Sequence, residues 1–426
     1  MQKPKGTYDL YGENGRKTIY ILNLLRSLMD KYNYEYFRTP IFEASELFHR
    51  GVGETSDIVT KETYDFVDRG NRNMTLRPEG TAGIVRSFIE NKFYASPDIV
   101  KSWYYGPMYR YEQPQAGRFR EFYQFGVEVF GSLDPSVDAE VISIPVNFYK
   151  MLGLKNIVVR INSLGDTETR LRYREVLMDY FRPHLDELCS DCKARFEKNP
   201  LRILDCKIDH DLDIMKNAPK ILDYLSESSK KHFEELTSIL DGLKIDYVID
   251  SNIVRGLDYY TETVFEVTAE SSKLGRQNVL CAGGRYNNLV ENIGGIKSPG
   301  VGFALGMERL LSVLETEGID LETDAYLDIF VIPMDETYKK NALSLTQELR
   351  LNGFKVDTDF MNRNLKSNFK VADRLNSEYI IIIGSEEVNS RVLTIKNNKT
   401  REEFKVKLDE IVEFFDERII EHEDIC

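Results

Sequence analysis

The sequence has no run of apolar residues approaching the roughly 20 that a membrane-crossing helix needs. Its longest candidate, Tyr379–Ile383, is strand-sized. Met1–Leu10 carries no apolar signal segment. Cysteine is scarce, five in 426 residues, and the odd number argues against a disulfide framework and for a reducing, cytoplasmic setting. There is no Gly-x-x-x-x-Gly-Lys-Ser/Thr loop, which excludes a P-loop nucleotide site. Internal repeats and low-complexity tracts are absent as well. The chain also lacks a positive balance: its formal net charge is −14, which argues against a protein that coats nucleic acid and leaves room for a local basic face.

What is present is the composition of a globular protein, 42% hydrophobic and 30% charged, in a chain too long for one ordinary core. Ile19, Leu22, Leu25, Leu28 and Met29 predict a helix over 16–37, with Asn33 and Pro40 marking its end. From Met74 to Phe130 the pattern reads as strands. Within 118–130, Phe119, Glu121, Tyr123, Phe125, Val127 and Val129 fall on one face, and Arg120, Phe122, Gln124, Gly126 and Glu128 on the other. An aromatic, an amide and a carboxylate on one face are odd for a plain solvent side. Residues 166–245 read as a charged helical insertion, and strands return at Ile245–Ile249 and Tyr259–Thr268. The glycine-rich stretch 299–306 leads into a helix, Met307–Glu315, followed by an acidic linker, Glu315–Asp324. The remainder alternates strand and helix, as a compact α/β domain of about 100 residues does. The expected fold is therefore α+β: a unit of strands and helices (1–165 and 246–320), interrupted by the helical insertion (166–245), then an α/β domain (325–426).

Three arginines stand beside acids and glycines: Arg110, Arg255 and Arg309. Each alone reads as a surface arginine. Arg110 is expected to share a strand face with Met108 and Glu112, where a planar guanidinium could line a sheet-floored cleft and grip phosphate. The glycines before Arg309 read either as close approach to a ligand at a helix start, which favours anions, or as tight strand–helix packing.

Taken in order, the segments carry more. Pro40 follows the long helix. Met108-Tyr-Arg-Tyr-Glu112 precedes a loop and Gly117-Arg-Phe-Arg-Glu-Phe122, and Gly300-Val-Gly-Phe-Ala-Leu-Gly-Met-Glu-Arg309 closes the unit. These resemble the three motifs of class II aminoacyl-tRNA synthetases. Val254-Arg-Gly-Leu-Asp-Tyr-Tyr-Thr-Glu-Thr-Val-Phe265, Ala282-Gly-Gly-Arg-Tyr286 and Leu76-Arg-Pro-Glu-Gly-Thr-Ala82 further resemble peptides of the histidyl-tRNA synthetase family. The likeness spans nearly the whole chain and implies a catalytic core built on an antiparallel sheet flanked by helices.

The resemblance implies ATP-dependent ligation of L-histidine to histidine tRNA through a histidyl-adenylate, with ATP supplied as its Mg2+ complex. It implies that Arg110 contacts the α-phosphate and the substrate carboxylate, that Arg309 holds the γ-phosphate end, and that Arg255 meets the transition state from the opposite side. Arg118 would close on the phosphates, Phe122 would stack on adenine, and Glu112 would receive its exocyclic amine. Glu79, Thr81 and Gln124 would take the substrate ammonium, with Thr81 equally readable as a turn residue. Tyr259 belongs to the histidine site, and Glu128 and Tyr260 would hold the imidazole, whose donor and acceptor suit a carboxylate and a hydroxyl. Otherwise Glu128 is a paired structural carboxylate and Tyr260 a packed strand tyrosine. The C-terminal domain would bind the anticodon, and a homodimer would form about Pro40, with no membrane partner. Gln113 and Ala116 depart from the family's basic residues in the loop that faces the tRNA acceptor end.

Two further patterns stand apart. Cys189, Cys192, Cys206 and His210 have zinc spacing, with His184 near; the helical context favours free thiols, and no metal is assigned. Arg363, Lys366, Lys370 and Arg374 form a basic stripe at helical spacing, either a solvated face or, in an anticodon-reading domain, a phosphate contact. A regulatory paralogue without ligase activity is the competing reading. It typically lacks the C-terminal domain and the Arg-Gly-Leu-Asp-Tyr-Tyr peptide, both present here.

Overall fold

The period-two pattern of 118–130 becomes the strand Glu121–Phe130, inside an eight-stranded sheet of a computed structural model. The structure describes all residues except 54, 55, 57, 114–117, 205, 207, 254–256, 258, 271–277, 322, 324, 325 and 420–426. The chain divides into two compact units, Met1–Leu321 and Glu322–Cys426.

In the first unit the sheet order is Glu35–Tyr36, Val100–Tyr109, Glu121–Phe130, Gly300–Gly306, Val279–Arg285, Thr261–Ala269, Ile157–Ser163 and Tyr247–Ile249. The inner pairs are antiparallel, but both edge strands pair in parallel. The edge strands are only two and three residues long. One face of the sheet packs Phe125, Val127 and Val129 against helices Gly12–Tyr32, Pro135–Met151, Glu227–Gly242 and Met307–Glu317. The other face carries Tyr104, Met108 and Phe130 into a second core. Glu121–Phe130 is thus covered on both sides, which is why its second face tolerates no ordinary solvent-side composition.

Local differences from the expectation have simple causes. The first helix runs Gly12–Tyr32 and is closed by Asn33 in the left-handed conformation, φ 59°. Its buried stripe is Ile21, Leu24, Leu25, Leu28 and Met29, while Ile19 is exposed. Met74–Phe130 is not all strand, because helix Thr81–Glu90 interrupts it. The Glu79 carboxylate accepts the N–H groups of Thr81 and Ala82, both at 2.8 Å, and so satisfies two of that helix's free donors. Arg110 and Glu112 lie beyond the end of strand Val100–Tyr109 rather than on its face. The Arg110 N–H still donates to the Arg120 carbonyl, but the Tyr111 N–H turns away to Glu62. Strand Ile157–Ser163, helix Pro135–Met151 and a small sheet of Phe42–Ala44, Asn73–Leu76 and Tyr64–Val67 complete the unit.

Residues 166–245 carry helices Thr167–Phe181, Ser190–Lys198 and Glu227–Gly242, with shorter helical elements such as Asp213–Lys216 between them, and lie within the first unit. Their apolar residues Tyr173, Phe181 and Phe196 belong to the same core as Tyr104, Tyr259 and Tyr286. The second unit has a five-stranded sheet in the order Val356–Thr358, Leu327–Pro333, Ser377–Ile383, Val392–Asn397, Glu403–Lys407. Its first three strands are parallel and its last two antiparallel. Helix Lys339–Leu351 packs on one side and Leu365–Arg374 on the other.

Candidate active site

The second face of strand Glu121–Phe130 floors a cleft enclosing about 1190 Å3, solvent at its mouth included. Glu79, Thr81, Arg110, Glu112, Arg118, Phe122, Gln124, Glu128, Tyr259, Tyr260 and Arg309 all line it. These come from five separated stretches of sequence and meet because strands Glu121–Phe130 and Gly300–Gly306 are neighbours, with helix Thr81–Glu90 and the tyrosines closing over them. Arg255 lies outside the described residues, as do Ala116 and Gly117 of the preceding loop.

At the closed end sits Glu128, 1% exposed. Its Oε1 accepts from Thr81 Oγ1 at 2.7 Å and from the Tyr104 hydroxyl at 3.3 Å; its Oε2 accepts from the Tyr286 hydroxyl. Burial is the main cause that pushes this carboxyl up to about 8, against the three hydroxyls that pull it down. Glu79 is buried beside it and is likewise raised by burial, opposed by the two amides of the helix start. A Cβ on Gly302 would collide with Glu128 Oε2 and the Val127 carbonyl, so glycine there is what makes room for the carboxylate. Thr81, read as a possible turn residue, opens the helix and donates to Glu128. Tyr259 and Tyr260 are each 6% exposed; their ring centroids are 4.6 Å apart, and Tyr259 meets Tyr286 edge-on. Gln124 lies between these groups and the cleft mouth, and its buried Oε1 has no hydrogen-bond partner among the described residues.

The open end is cationic. Arg110 donates through Nε to the Pro78 carbonyl at 2.9 Å and lies 5.2 Å from the centroid of the Phe122 ring. Arg118 Nη1 donates to Glu112 Oε2 at 3.1 Å, so the loop arginine is already turned inward. Arg309 stands in the first turn of Met307–Glu317, where its Nη1 reaches the Val279 carbonyl at 3.4 Å. Burial lowers its basicity and the Arg118 charge lowers it further. Three guanidinium groups, Arg110, Arg118 and Arg309, thus line one cleft, with Arg309 in the first turn of a helix, an arrangement suited to a polyphosphate.

The lining residues that were given no role from the sequence include Tyr104, Tyr286, Cys281 and Glu308. Tyr286 stood at the end of a quoted motif without a role. Glu308 accepts from the Tyr8 hydroxyl at 2.5 Å and the Tyr123 N–H at 2.8 Å, and so fixes the strand to the helix that carries Arg309. Arg285, the remaining charge of that motif, is fully buried and clamps Asp138 of helix Pro135–Met151 through Nε at 3.0 Å. It is a strut outside the cleft.

Away from the cleft, Cys189, Cys192 and Cys206 converge with Asp209, not with His210. The His210 ring instead lies 3.2 Å from Asp211, and His184 bonds to Glu187 at 2.7 Å. In the second unit Arg363 lies before helix Leu365–Arg374 and pairs with Asp359 at 2.8 Å, so the basic stripe on the helix is Lys366, Lys370 and Arg374, all exposed.

Residues 6–310 match the family described as Histidyl-tRNA synthetase, and residues 328–418 match the family described as Anticodon binding domain. The chain is 51% identical to the histidine--tRNA ligase of Anoxybacillus flavithermus, over 96% of this chain and 97% of that one. It is similar to the crystal structure of apo histidyl-tRNA synthetase from S. aureus, with a TM-score of 0.84 at 42% identity, covering 97% of this chain and 99% of that one. An ATP phosphoribosyltransferase regulatory subunit/histidyl-tRNA synthetase from Bacillus halodurans C shares the fold, with a TM-score of 0.63 at 23% identity over 90% of this chain and 98% of that one.

Proposed function

We propose a role for each side chain of the cleft from the premise that this chain belongs to the histidyl-tRNA synthetase family. The protein is a histidine--tRNA ligase: it uses ATP to form histidyl-adenylate and transfers the histidyl group to tRNA. The observation that carries the site assignment is the shared cleft, polar and acidic at its closed end, cationic at its open end.

The substrate carboxylate attacks the α-phosphorus of ATP, a bond forms between that oxygen and phosphorus, and pyrophosphate leaves. No deep-seated base is required, so the protein's task is alignment and charge. Arg110, held through Pro78, takes the α-phosphate and the attacking carboxylate; its stacking on Phe122 leaves that ring's other face for adenine. Glu112 takes the adenine amine once Arg118 swings from it to the phosphates. Arg309 holds the γ-phosphate. Arg255 takes the charge that develops at phosphorus. Magnesium enters with ATP as part of the substrate.

Histidine occupies the closed end. Its ammonium meets the unpartnered Gln124 Oε1 and the free lone pairs of Glu79, with Thr81 beside them. The imidazole lies between Glu128 and the Tyr259–Tyr260 pair. Glu128 is held in place by Thr81, Tyr104 and Tyr286, so both structural and substrate roles fall on one carboxylate. A second copy of the chain completes the enzyme: Tyr36, Ile41, Phe42, Phe66 and Val67 are exposed around Pro40, an apolar surface that supports a homodimer. The exposed Lys366, Lys370 and Arg374 support tRNA phosphate contact by the C-terminal domain. Among the described residues no helix is long and apolar enough to cross a membrane. The cytoplasm as place of work rests on the few, odd-numbered cysteines.

The test is ATP–pyrophosphate exchange with each amino acid in turn. Exchange with histidine alone is expected. Exchange with another amino acid, or with none, overturns the assignment.

A further inference from the structure

The helical stretch beyond the sheet holds a cluster that the ligase reaction does not use. Cys189 is the residue before helix Ser190–Lys198, and Cys192 sits in its first turn. Cys206 and Asp209 return to the same point after a turn, Pro200–Ile203. The three sulfurs and a carboxylate oxygen of Asp209 lie within 4.8 Å of one another. Cys192, Cys206 and Asp209 are buried, Asp209 at 5% exposure.

We propose that Cys189, Cys192, Cys206 and Asp209 bind one structural Zn2+ ion. Three soft thiolates with one oxygen suit zinc among the common biological cations. A tetrahedral site with Zn–S bonds of about 2.3 Å spaces its sulfurs about 3.8 Å apart. The Cys189 and Cys206 sulfurs are 3.7 Å apart, close to that edge and far from the roughly 2.05 Å of a disulfide. The surrounding backbone donates as it does around bound ligands. The Asp209 N–H points to Cys206 Sγ at 3.4 Å, and the Cys189 N–H to Asp209 Oδ2 at 3.0 Å, which orients two of the four donors. A carboxylate buried among sulfurs is costly unless a cation offsets it.

The fourth donor is where spacing misleads. His210 continues the Cys-x-x-Cys…Cys pattern, but its side chain is 46% exposed and faces Asp211. The residue before it points inward instead. With four protein donors the site has no open position, so its work is to hold structure rather than to activate water. It ties the start of helix Ser190–Lys198 to Cys206 and Asp209. That helix packs Cys192 and Phe196 into the core that also contains Tyr259, Tyr260 and Tyr286 of the cleft. Zinc would therefore fix the insertion against the wall of the histidine site.

The experiment measures zinc in the full chain purified without chelator, by elemental analysis and by native mass spectrometry. Cobalt(II) replacement gives a second readout in the visible spectrum. One zinc per chain and a tetrahedral, thiolate-rich cobalt spectrum are expected. Cys192→Ser and Asp209→Asn should lose the metal, His210→Ala should keep it, and Asp209→Cys should keep it as a four-sulfur site. The last variant separates lost ligation from lost folding. Zinc absent from the parent even after incubation with the equimolar ion overturns the proposal. So does zinc retained by Cys192→Ser, or a loss of two hydrogens in mass that marks a Cys189–Cys206 disulfide. Zinc lost from His210→Ala but kept by Asp209→Asn overturns the ligand set. Metal content is read apart from aminoacylation, so failure here leaves the ligase assignment standing.

Discussion

Glu128→Gln should make the free enzyme more stable and a poorer catalyst at the same time. In the folded protein this carboxyl is pushed up to about 8 from 4.5, mainly by burial. Between those values the folded chain keeps a proton that the unfolded chain has released. Stability should therefore fall as pH rises through that interval, and the penalty is complete above about pH 8. The corresponding cost is at most ~5 kcal/mol at 1.36 kcal/mol per pH unit. Glutamine carries no charge, so the penalty goes. Its amide must still pair with the hydroxyls of Thr81, Tyr104 and Tyr286, which takes back about 1–3 kcal/mol. A net gain of about 2–4 kcal/mol at high pH is expected, and a net loss of about 1–3 kcal/mol below pH ~4.5, where the parent carboxyl is neutral too. Histidine-dependent pyrophosphate exchange should fall at least ~10-fold above about pH 8, where the parent carboxyl is ionised, because a hydrogen bond to a charged group is worth about 1.5–3 kcal/mol. ATP affinity should change little. The assays are urea unfolding of both proteins across the pH range and exchange kinetics at saturating ATP. Equal stability at high pH would refute the burial argument. Undiminished exchange would show that Glu128 only supports its neighbours and that the imidazole lies elsewhere.

If the proposed role of Arg255 holds, Arg255→Ala should slow adenylate formation by ~10²–10³ in single-turnover experiments; an unchanged rate with a raised KM would make it a binding residue only. Gly302→Ala places a Cβ against Glu128 Oε2 and the Val127 carbonyl, so it should cost about 1–3 kcal/mol in unfolding measurements and weaken histidine activation; parent-like values of both would show that the carboxylate is free to move. Sedimentation at micromolar concentration should give a dimer, and Phe42→Glu, at an exposed position of the apolar surface, should shift it to monomer; a monomeric parent would remove that surface as the interface.

The strand Glu121–Phe130 shows how far sequence alone reached. Period two fixed which residues share a face, so Phe122, Gln124 and Glu128 could be grouped before any coordinates. Motif order did the rest, because Arg110, Arg309 and the tyrosines sit in peptides whose succession is itself informative. What sequence could not provide was who meets whom across the sheet. Gly302 opposes Glu128 through strand pairing of residues far apart in the chain, and Tyr104 and Tyr286 reach the same carboxylate from two other strands or their ends. Nothing local to those tyrosines signals that contact. Arg110 leaves its strand because the Tyr111 amide finds Glu62, a long-range partner. The cysteine spacing was legible, but its fourth companion was not: His210 and Asp209 are adjacent, and only the turn's direction decides which side chain is buried. Periodicity and motif order are local properties of the chain. Registers, buried partners and the side a turn presents are fixed by packing between segments that the sequence separates.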